Sequence, residues 1–317
     1  MYLLGYYLVV LLTVVVTVRA GRNVRAKDLK VTLPSGDKMS MIGFGTGGIN
    51  GVKTMTNILD DALSAGYRLI DAAAFYENEE DIGIALKELL PKHHLTRNDI
   101  FITSKLAPKK DLFGEHAYEA LKQAIQRFGT DYIDLYLIHF PGYFPLPEPN
   151  MNFSALRDET WKQLVKGQKE GLVRNIGVSN YNIRQLKELL RNDHGVKPAI
   201  NQVEWHPDYH QDELLKFCKK QGVALQAYFS LGGVNNKTVL LEKPEVKQIA
   251  IKLRKSPSQV LLKWALQQNV LVVPGSRTRK HMDQNLDLNF KIPEADMKIL
   301  NNLKQAGRIS MFPDIII

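Results

Sequence analysis

Short apolar runs alternate with longer amphipathic segments along most of this chain. Eight runs are rich in branched residues and each precedes a polar loop; they read MSMIGF, YRLIDA, DIFITS, IDLYLIHF, RNIGVS, KPAINQV, VALQAY and VLVVPG. In the segments between them, such as TNILDDALSA, DIGIALKELL and IRQLKELLRN, apolar residues recur every three or four positions. The runs are typical of buried strands, and the segments are typical of helices that bury one face.

Regular alternation of strands and helices predicts an α/β fold with a parallel sheet. Eight repeats in about 250 residues predict that the sheet closes into a (β/α)8 TIM barrel. Before the barrel, LKVTLPSGDKMS alternates around a turn at 34–37, which predicts an N-terminal β-hairpin cap. We expect the C-terminal GRISMFPDIII to form a loop over the barrel mouth. No Pro- or Gly-rich linker divides the chain, so we predict one domain over 28–317.

The first twenty residues differ from the rest. Tyr2–Val18 is an uncharged, mostly apolar run, and basic residues follow it but none precedes it. One interpretation is a secretory signal peptide, with Val18 and Ala20 as the small residues before a cut. The other is a signal anchor, since the run is about long enough to span a bilayer. We favour an anchor that leaves the barrel facing the cytosol; the alternative is a secreted or ER-lumenal protein after cleavage.

Charge and cysteine content narrow the partners. The chain has 42 basic and 33 acidic residues, a formal net charge of +9. A basic surface could attract nucleic acid, anionic lipid or a polyanionic cofactor. No zinc-finger spacing or arginine-rich run is present, so we expect no nucleic-acid partner and no metal. The single cysteine, Cys218, cannot form an internal disulfide, and we expect it buried on a helix. We expect a monomer.

A glycine-rich stretch, IGFGTGGING, follows the first strand. Gly43, Gly45 and Gly48 fit the dinucleotide motif G-x-G-x-x-G, but no acidic residue closes a second strand about 20 residues later. In a barrel, this stretch would instead lie at a strand end, where glycines let a ligand approach the backbone. The motif YEALK matches the Y-x-x-x-K of short-chain dehydrogenases, yet it lies in an amphipathic segment. We therefore expect no Rossmann fold.

Ionisable residues stand at the ends of three predicted strands. Asp71, Lys105 and His139 each end an apolar run, and Tyr76 follows in the loop after Asp71. Taken singly, Asp71 could be a helix cap, Lys105 a solvated loop residue and His139 a buried core residue. Together they predict a proton-transfer site at the barrel mouth, where Tyr76 gives a proton to an oxygen as charge develops on it. We expect the Lys105 ammonium to lower the pKa of Tyr76, and Asp71 to hold Lys105.

These residues make the chain resemble the aldo-keto reductases. GYRLIDAAAFYENEEDIG resembles the family's segment with its Asp and Tyr, FITSKL the one with its Lys, and DLYLIHFP the one with its His. The resemblance runs from about Leu29 to Phe312. It implies a barrel that binds NADPH and reduces an aldehyde or ketone to an alcohol. It also implies that Asp71, Tyr76, Lys105 and His139 are the catalytic tetrad, with Tyr76 as the general acid.

The resemblance also implies a cofactor site built from eleven residues. They are Gly45 and Thr46 in the first strand-loop, Ser179, Asn180 and Gln202 at the nicotinamide carboxamide, Tyr228 stacked on the nicotinamide, Leu231 near the pyrophosphate, and Ser276, Arg279, Gln284 and Asn285 after the eighth strand.

Three departures from the family's pattern concern the pocket. Gly47 and Phe140 stand where the family often has aromatic residues, the second of them Trp, and Phe229 stands where it usually has Ser. We expect Tyr76, His139 and Phe140 to contact the substrate. Because His139 is kept where double-bond reductases of the family tend to carry Glu, the resemblance favours carbonyl reduction.

The loop after the eighth strand departs as well. Gly275 and His281 stand where the family has the Lys and Arg that contact the cofactor 2′-phosphate. Arg277, Arg279 and Lys280 crowd into the same loop, and we expect them to replace the missing pair. Arg279 is the best candidate for a phosphate fork. The sequence therefore predicts NADPH as the cofactor with a reduced preference, so that NADH is possible.

A different class of function stays open. The channel β-subunits of this superfamily resemble a cofactor-binding barrel that regulates a membrane partner, and the apolar run at 2–18 would suit membrane association. The complete tetrad favours an enzyme acting on a small carbonyl substrate.

Overall fold

A β-hairpin precedes the barrel strands. The computed structural model describes residues 28–145, 152–304 and 307–310. Strands β1 (Lys30–Thr32) and β2 (Lys38–Ser40) pair antiparallel across the turn predicted from the sequence. The Asn175 side-chain amide donates a 2.8 Å hydrogen bond to the Asp37 carboxylate, which fixes the turn beneath the start of a barrel strand. The predicted hairpin cap is confirmed.

Eight parallel strands follow in one sheet whose spatial order equals the chain order. They are β3 (Phe44–Gly45), β4 (Leu69–Asp71), β5 (Phe101–Leu106), β6 (Ile133–Ile138), β7 (Val173–Ser179), β8 (Ile200–Glu204), β9 (Ala224–Tyr228) and β10 (Leu271–Val272). The sheet closes because the Gly43 N–H donates to the Val272 carbonyl at 2.8 Å and the Val272 N–H donates to the Met41 carbonyl at 2.9 Å. The predicted (β/α)8 barrel is confirmed, and each strand overlaps a predicted run.

Helices surround the barrel, and most of them bury one apolar face. They are α1 (Val52–Ala65), α2 (Glu79–Lys92), α3 (Ala117–Phe128), α4 (Phe153–Lys169), α5 (Ile183–Arg191), α6 (Asp212–Gln221), α7 (Gly233–Glu242), α8 (Pro244–Leu253), α9 (Pro257–Gln267), α10 (Arg279–Leu286) and α11 (Glu294–Asn301). On α1, Met55, Leu59 and Ala62 are buried at helical spacing. Burying a side chain of the size of Met55 or Leu59 contributes roughly 1.5–3 kcal/mol.

Local signals in the sequence fix where these helices begin and end. Asn182 caps α5 and Ser256 caps α9, each accepting a hydrogen bond from the backbone N–H of a Gln three residues later. Helix α3 ends at Gly129, whose φ of 60° lies in the left-handed region. These stops direct the chain back into the next strand, so every strand points its carboxyl end to the same face of the barrel.

The structure describes neither the first 27 residues nor the last seven, so it does not test the predictions made for them. No helix among the described residues is long and apolar enough to cross a membrane. The predicted anchor or signal peptide over 1–20 lies outside them, as does the tail from 311 onward.

Cys218 lies buried on α6, as predicted. The YEALK motif lies on α3, and Asp60 and Asp61 lie on α1, so the absence of a Rossmann motif is confirmed.

Candidate active site

Four ionisable residues meet at the carboxyl ends of adjacent strands. Asp71 ends β4, Tyr76 ends the 3-10 turn that follows, Lys105 lies near the end of β5, and His139 comes directly after β6. The Lys105 Nζ lies 2.6 Å from Asp71 Oδ1 and 3.4 Å from the Tyr76 hydroxyl. It also donates to the Ala72 carbonyl at 2.9 Å. The structure thus brings together all four residues predicted from the strand ends.

Lys105 is held as a cation in the barrel interior. Its side chain is fully buried, and burial alone would lower its pKa. The Asp71 carboxylate and the Tyr76 hydroxyl outweigh that effect, so the pKa of Lys105 is raised from its usual value. A buried charge is stable only where it is paired in this way. The ammonium therefore stays protonated beside the Tyr76 oxygen.

Opposing effects act on the pKa of Tyr76. Burial raises the pKa of the phenol, the Lys105 ammonium lowers it, and Asp71 raises it again, with a net rise from the usual value. The lowering effect that we expected from Lys105 is present, but burial of the hydroxyl, which the sequence did not show, outweighs it. Tyr76 consequently keeps its proton at neutral pH, which is the state that a general acid requires.

His139 is a neutral imidazole. Burial, and then the Lys105 ammonium, hold the pKa of His139 well below its usual value. Its ring meets the Tyr76 ring edge-on, with centroids 5.7 Å apart, and no described residue hydrogen-bonds to its Nδ1. A neutral imidazole has one N–H to donate. This ring can therefore orient an oxygen atom beside the Tyr76 hydroxyl.

Aromatic side chains form a wall around these two rings. Phe140 stacks on His139 with centroids 5.0 Å apart, and Phe144 meets Phe140 edge-on at 5.7 Å. Phe75 meets the His139 ring edge-on at 6.2 Å and is 58% exposed. An exposed ring of this size beside ionisable groups suits contact with a ligand. Phe140, which we expected to contact the substrate, belongs to this wall.

The other two pocket departures also have structural consequences. A Cβ at Gly47 would lie 3.6 Å from the Tyr76 ring, so a large side chain at 47 would lie over that ring. Glycine leaves this face of Tyr76 open. Phe229 adopts a φ of 52° and meets the Tyr228 ring edge-on at 5.1 Å. The first replacement widens the mouth, and the second adds an apolar surface beside Tyr228.

Gln202 lies next to Asp71 inside the barrel. Its side-chain N–H groups donate to Asp71 Oδ2 and to Gln226 Oε1, both at 2.7 Å. Thr46 fixes the same residue from the backbone side, since its hydroxyl donates to the Asp71 carbonyl at 2.9 Å. Asn78 in turn donates to the Thr46 carbonyl. Two of the predicted cofactor residues, Gln202 and Thr46, thus direct their side-chain donors to Asp71.

Asn180 is the centre of a second cluster. Its φ of 64° is one that asparagine tolerates better than most residues. The side-chain N–H groups donate to the His139 carbonyl at 3.0 Å and to the Ser179 hydroxyl at 3.1 Å. Its Oδ1 accepts from the Tyr228 hydroxyl at 2.7 Å and from Arg308 at 3.0 Å. Three of the predicted cofactor residues, Ser179, Asn180 and Tyr228, therefore lie together at the mouth.

The C-terminal segment reaches this cluster through Glu204. The backbone N–H groups of Ile309 and Ser310 donate to the two carboxylate oxygens, each at 2.7 Å, and His206 bonds to the same carboxylate at 2.9 Å. Burial raises the pKa of Glu204, but these hydrogen bonds outweigh burial and lower it overall. The predicted C-terminal loop over the mouth is confirmed for 307–310.

The loop after β10 carries the predicted phosphate contacts. Arg279 begins α10, and its Nε lies 3.0 and 3.1 Å from the Asp283 carboxylate oxygens. Arg277 reaches across to the Gly48 carbonyl, to which it donates at 2.6 Å. Ser276 accepts a hydrogen bond from the Thr278 N–H at 3.2 Å. Asn285 is buried one turn further along α10, and Gln284 is partly buried, as is Leu231 in the loop after β9.

A close contact between Gly275 in this loop and Gly45 at the end of β3 shows why no lysine stands at 275. A Cβ at Gly275 would lie 2.8 Å from the Gly45 carbonyl oxygen, and one at Gly45 would lie 2.5 Å from the Val273 carbonyl oxygen. The two backbones therefore touch, and neither position has room for a side chain. Basic side chains at the helix N-terminus remain. Together with the side-chain amides of Asn180 and Gln202 and the half-buried Tyr228 ring, these basic side chains suit an anionic dinucleotide with an aromatic head group.

Several polar residues of the site were not predicted from the sequence. Gln226, Glu204 and Arg308 were not singled out, although Gln226 and Arg308 hydrogen-bond to predicted residues and Glu204 binds the C-terminal segment. Gln226 interrupts an apolar strand at an inward-facing position, and a search for polar residues of that parity would have found it. Arg308 has no comparable signal, because its partner lies 128 residues earlier in the chain.

Comparisons with known proteins agree with this geometry. Residues 41–305 match the sequence profile of the Aldo/keto reductase family. The chain is 36% identical to the glyoxal reductase of Bacillus subtilis over 90% of its length and 96% of that protein. It is 38% identical to human aldo-keto reductase family 1 member A1 over 88% of its length and 90% of that protein.

A solved structure extends the likeness to three dimensions. The aldose reductase from Schistosoma japonicum superposes with a TM-score of 0.79 at 34% identity, covering 88% of this chain and 93% of that one. The family profile spans most of the chain, and the relatives are more than 30% identical to it. Both findings agree with the observed barrel and with the ionisable side chains at its mouth. The chain belongs to the aldo/keto reductase family and is an oxidoreductase that acts on carbonyl groups.

Proposed function

We propose that this protein reduces an aldehyde or ketone with NADPH and takes the proton from Tyr76. The observation that carries the proposal is the buried Lys105 ammonium, which contacts both Asp71 at 2.6 Å and the Tyr76 hydroxyl at 3.4 Å. When bound, the reduced nicotinamide supplies a hydride to the carbonyl carbon. Every other step belongs to the side chains at the mouth.

The proton step follows from the charges around Tyr76. The Tyr76 hydroxyl and the His139 N–H both donate hydrogen bonds to the carbonyl oxygen and so orient it. As negative charge develops on that oxygen, the proton passes from Tyr76 to it and an alcohol forms. The Lys105 ammonium stabilises the phenolate that remains, and Asp71 keeps Lys105 in place. Neutral His139 adds a donor without adding a second positive charge.

The same residues that the family resemblance indicated are proposed to hold the cofactor. Ser179, Asn180 and Gln202 would bind the nicotinamide carboxamide, and Tyr228 would stack on the ring. This is supported by their closeness to Tyr76 and His139 at the mouth. Ser276, Arg279, Gln284 and Asn285 would bind the adenosine 2′-phosphate and adenine end, with Gly45 and Leu231 between the two ends. The lost lysine and arginine suggest a smaller preference for NADPH than the family usually has.

The aromatic wall suggests the substrate. Phe75, Phe140 and Phe144 offer ring faces and edges beside the proton donor, and Gly47 leaves the mouth open over Tyr76. We infer a small-molecule carbonyl compound with an apolar or aromatic part. A turnover assay with a panel of small aldehydes also separates an enzyme from a barrel that only binds cofactor for a membrane partner.

The testing experiment is Tyr76→Phe in the full-length chain. The variant loses only the hydroxyl, so reduction should fall to less than a few per cent of the wild-type rate. Binding of NADPH, followed by quenching of protein fluorescence, should change little. The rate is measured from the loss of nicotinamide absorbance with an aldehyde substrate. A variant that keeps most of its activity would exclude Tyr76 as the proton donor.

For localisation, we propose that residues 2–18 anchor the protein in a membrane with the barrel in the cytosol. The support is the apolar run with basic residues on its C-terminal side only. Cleavage before Gly21, which would release a secreted or lumenal protein, is the alternative. Residues 28–317 would then form the barrel domain in either case.

A further inference from the structure

A buried chain of hydrogen bonds leads from Gln226 to the proton donor. Gln226 lies on β9 directly beside Gln202 on β8 in the parallel ladder. Gln202 donates to Gln226 Oε1 and to Asp71 Oδ2, both at 2.7 Å, and Lys105 binds the other Asp71 oxygen at 2.6 Å. We propose that Gln226 is a positioning residue for Tyr76, acting through Gln202, Asp71 and Lys105. The inference rests on the proposed role of Tyr76 as proton donor.

The donor and acceptor groups determine the direction of each hydrogen bond in this series. An ionised carboxylate only accepts hydrogen bonds, so Gln202 must turn its N–H2 group towards Asp71. The second N–H of that same group then needs an acceptor, and the carbonyl of Gln226 is the group that meets it. Turning either amide around would place two donors or two acceptors against each other. The charge on Asp71 therefore specifies the orientation of Gln226 across two strands.

Packing does not account for a glutamine at this position. Gln226 is fully buried, and no described residue accepts a hydrogen bond from its Nε2. A buried amide with unpaired donors is unfavourable, and an aliphatic side chain would fill the space without this cost. Among the described residues, the hydrogen bond that its side chain makes is the one that Oε1 accepts from Gln202. The benefit of Gln226 therefore lies in what it does to Gln202 and Asp71.

Loss of this acceptor would reach Tyr76 through the carboxylate. With both oxygens occupied by separate donors, Asp71 holds Lys105 at one side, where it still reaches the Tyr76 hydroxyl. If Gln202 turns away, Asp71 Oδ2 loses its donor and the carboxylate can take Lys105 with both oxygens. The ammonium then withdraws from Tyr76, the phenolate is less stable, and proton transfer slows. Binding of the substrate depends on other residues and should change little.

The test compares Gln226→Leu, which removes the acceptor, with Gln226→Glu, which keeps a carboxyl oxygen at the same place. Thr103→Val is the matched control. Thr103 lies two residues before Lys105, faces the same barrel interior, is fully buried and has a hydroxyl without a partner among the described residues. For each full-length variant, kcat, KM and the pH profile are measured with one aldehyde, together with NADPH binding and thermal unfolding.

We expect Gln226→Leu to lower kcat by about fivefold to tenfold, the effect of one lost hydrogen bond, with substrate KM within about twofold. Reduction needs protonated Tyr76, and a less stable phenolate means a higher pKa, so the fall in activity at alkaline pH should move to higher pH. Gln226→Glu should restore kcat to near the wild-type value, and Thr103→Val should change nothing.

An unchanged kcat and pH profile in Gln226→Leu, or an equal loss of kcat in the Leu and Glu variants, would overturn the proposal. If Gln226→Leu does not fold, Gln226→Ser serves in its place, because its hydroxyl is too short to reach Gln202. The result is separable from the proposed function, which fails only if Tyr76→Phe stays active.

Discussion

The backbone N–H of Ser310 donates a 2.7 Å hydrogen bond to the Glu204 carboxylate, which joins the C-terminal segment to the end of β8. The adjacent Ile309 N–H bonds to the other carboxylate oxygen at the same distance. One buried side chain thus satisfies two backbone donors that would otherwise face the barrel mouth. This contact places Arg308 where it reaches Asn180, so residues 308–310 contribute to the wall of the pocket.

Glu204→Gln should release this segment. A glutamine keeps one acceptor but turns a donor towards the second backbone N–H, so one hydrogen bond is lost and one repulsion appears. Amide hydrogen exchange at 309–310, followed by mass spectrometry, should become faster by about tenfold. Glu213→Gln, an exposed position on α6, is the control and should leave exchange unchanged. Equal exchange in wild type and Glu204→Gln would show that the carboxylate does not hold the tail.

The pH dependence of the same contact has a definite sign. The pKa of Glu204 is lower in the folded protein than its usual value, which is about 4.3. The ionised carboxylate therefore stabilises the folded state fully above that usual value, and this contribution is lost as pH falls through the lowered pKa. Protection of the 309–310 amides should persist at neutral pH and decrease only below about pH 4. Loss of protection near neutrality would contradict this assignment.

His139 should not titrate in the neutral range. Burial first, and then the Lys105 ammonium, lower its pKa, so its imidazole resonance should stay constant from about pH 6 to pH 8. Lys105→Met removes the second cause, and the pKa of His139 should move upward while burial still holds it below its usual value. Lys110→Met, at an exposed loop position, is the control. A His139 resonance that titrates near pH 6.5 in the wild type would contradict a neutral imidazole.

The fold, the three strand-end residues and Tyr76 were predictable because their signals are local. Period-two and period-3.6 patterns locate strands and helices, and the end of each apolar run places Asp71, Lys105 and His139 at one mouth. The supporting contacts were not predictable, because they join residues far apart in sequence. Gln202 and Asp71 are 131 residues apart, and Arg277 and Gly48 are 229 apart. The effect of Lys105 on the pKa of Tyr76 was predictable, but the larger effect of burial was not, because burial depends on the assembled barrel.

Deleting residues 1–20 should give a soluble and active barrel. The sheet closes through hydrogen bonds between Gly43 and Val272, and all of its strands lie within the described residues. The truncated and full-length proteins should therefore agree in activity and in thermal unfolding. The full-length protein is measured in detergent. A truncated chain that is unfolded or inactive would show that the N-terminal segment belongs to the barrel.

Two glycosylation motifs report the topology of the full-length protein in cells. Asn152 and Asn236 begin Asn-x-Ser/Thr sequences, and Asn152 caps α4 at an exposed position. If the barrel faces the cytosol, neither asparagine carries a glycan. A chain directed to the ER by a cleavable signal is the control and should gain a glycan at Asn152, which shows that the motif can be used. Glycan on the native chain would support the secreted or lumenal alternative.

The loop after β10 is where we expect the cofactor 2′-phosphate to bind. Arg277 is tied to the Gly48 carbonyl at 2.6 Å, which leaves it less available. Arg279 pairs with Asp283, but both side chains are about half exposed. An exposed ion pair of this kind contributes about 0.2–1 kcal/mol. A hydrogen bond to a charged group contributes about 1.5–3 kcal/mol. Arg279 can therefore exchange Asp283 for a phosphate at the N-terminus of α10.

Arg279→Ala should consequently raise the dissociation constant for NADPH by about tenfold to a hundredfold and change that for NADH little. Asp283→Asn removes the competing carboxylate, so it should tighten NADPH by a few-fold and leave NADH unchanged. Arg191→Ala, an exposed arginine at the end of α5, is the matched control. Both cofactors are titrated by quenching of intrinsic fluorescence. The opposite signs of the two variants decide the matter, because loss of helix stability would weaken both cofactors alike. Equal losses for NADPH and NADH, or none for either, would show that Arg279 does not bind the phosphate.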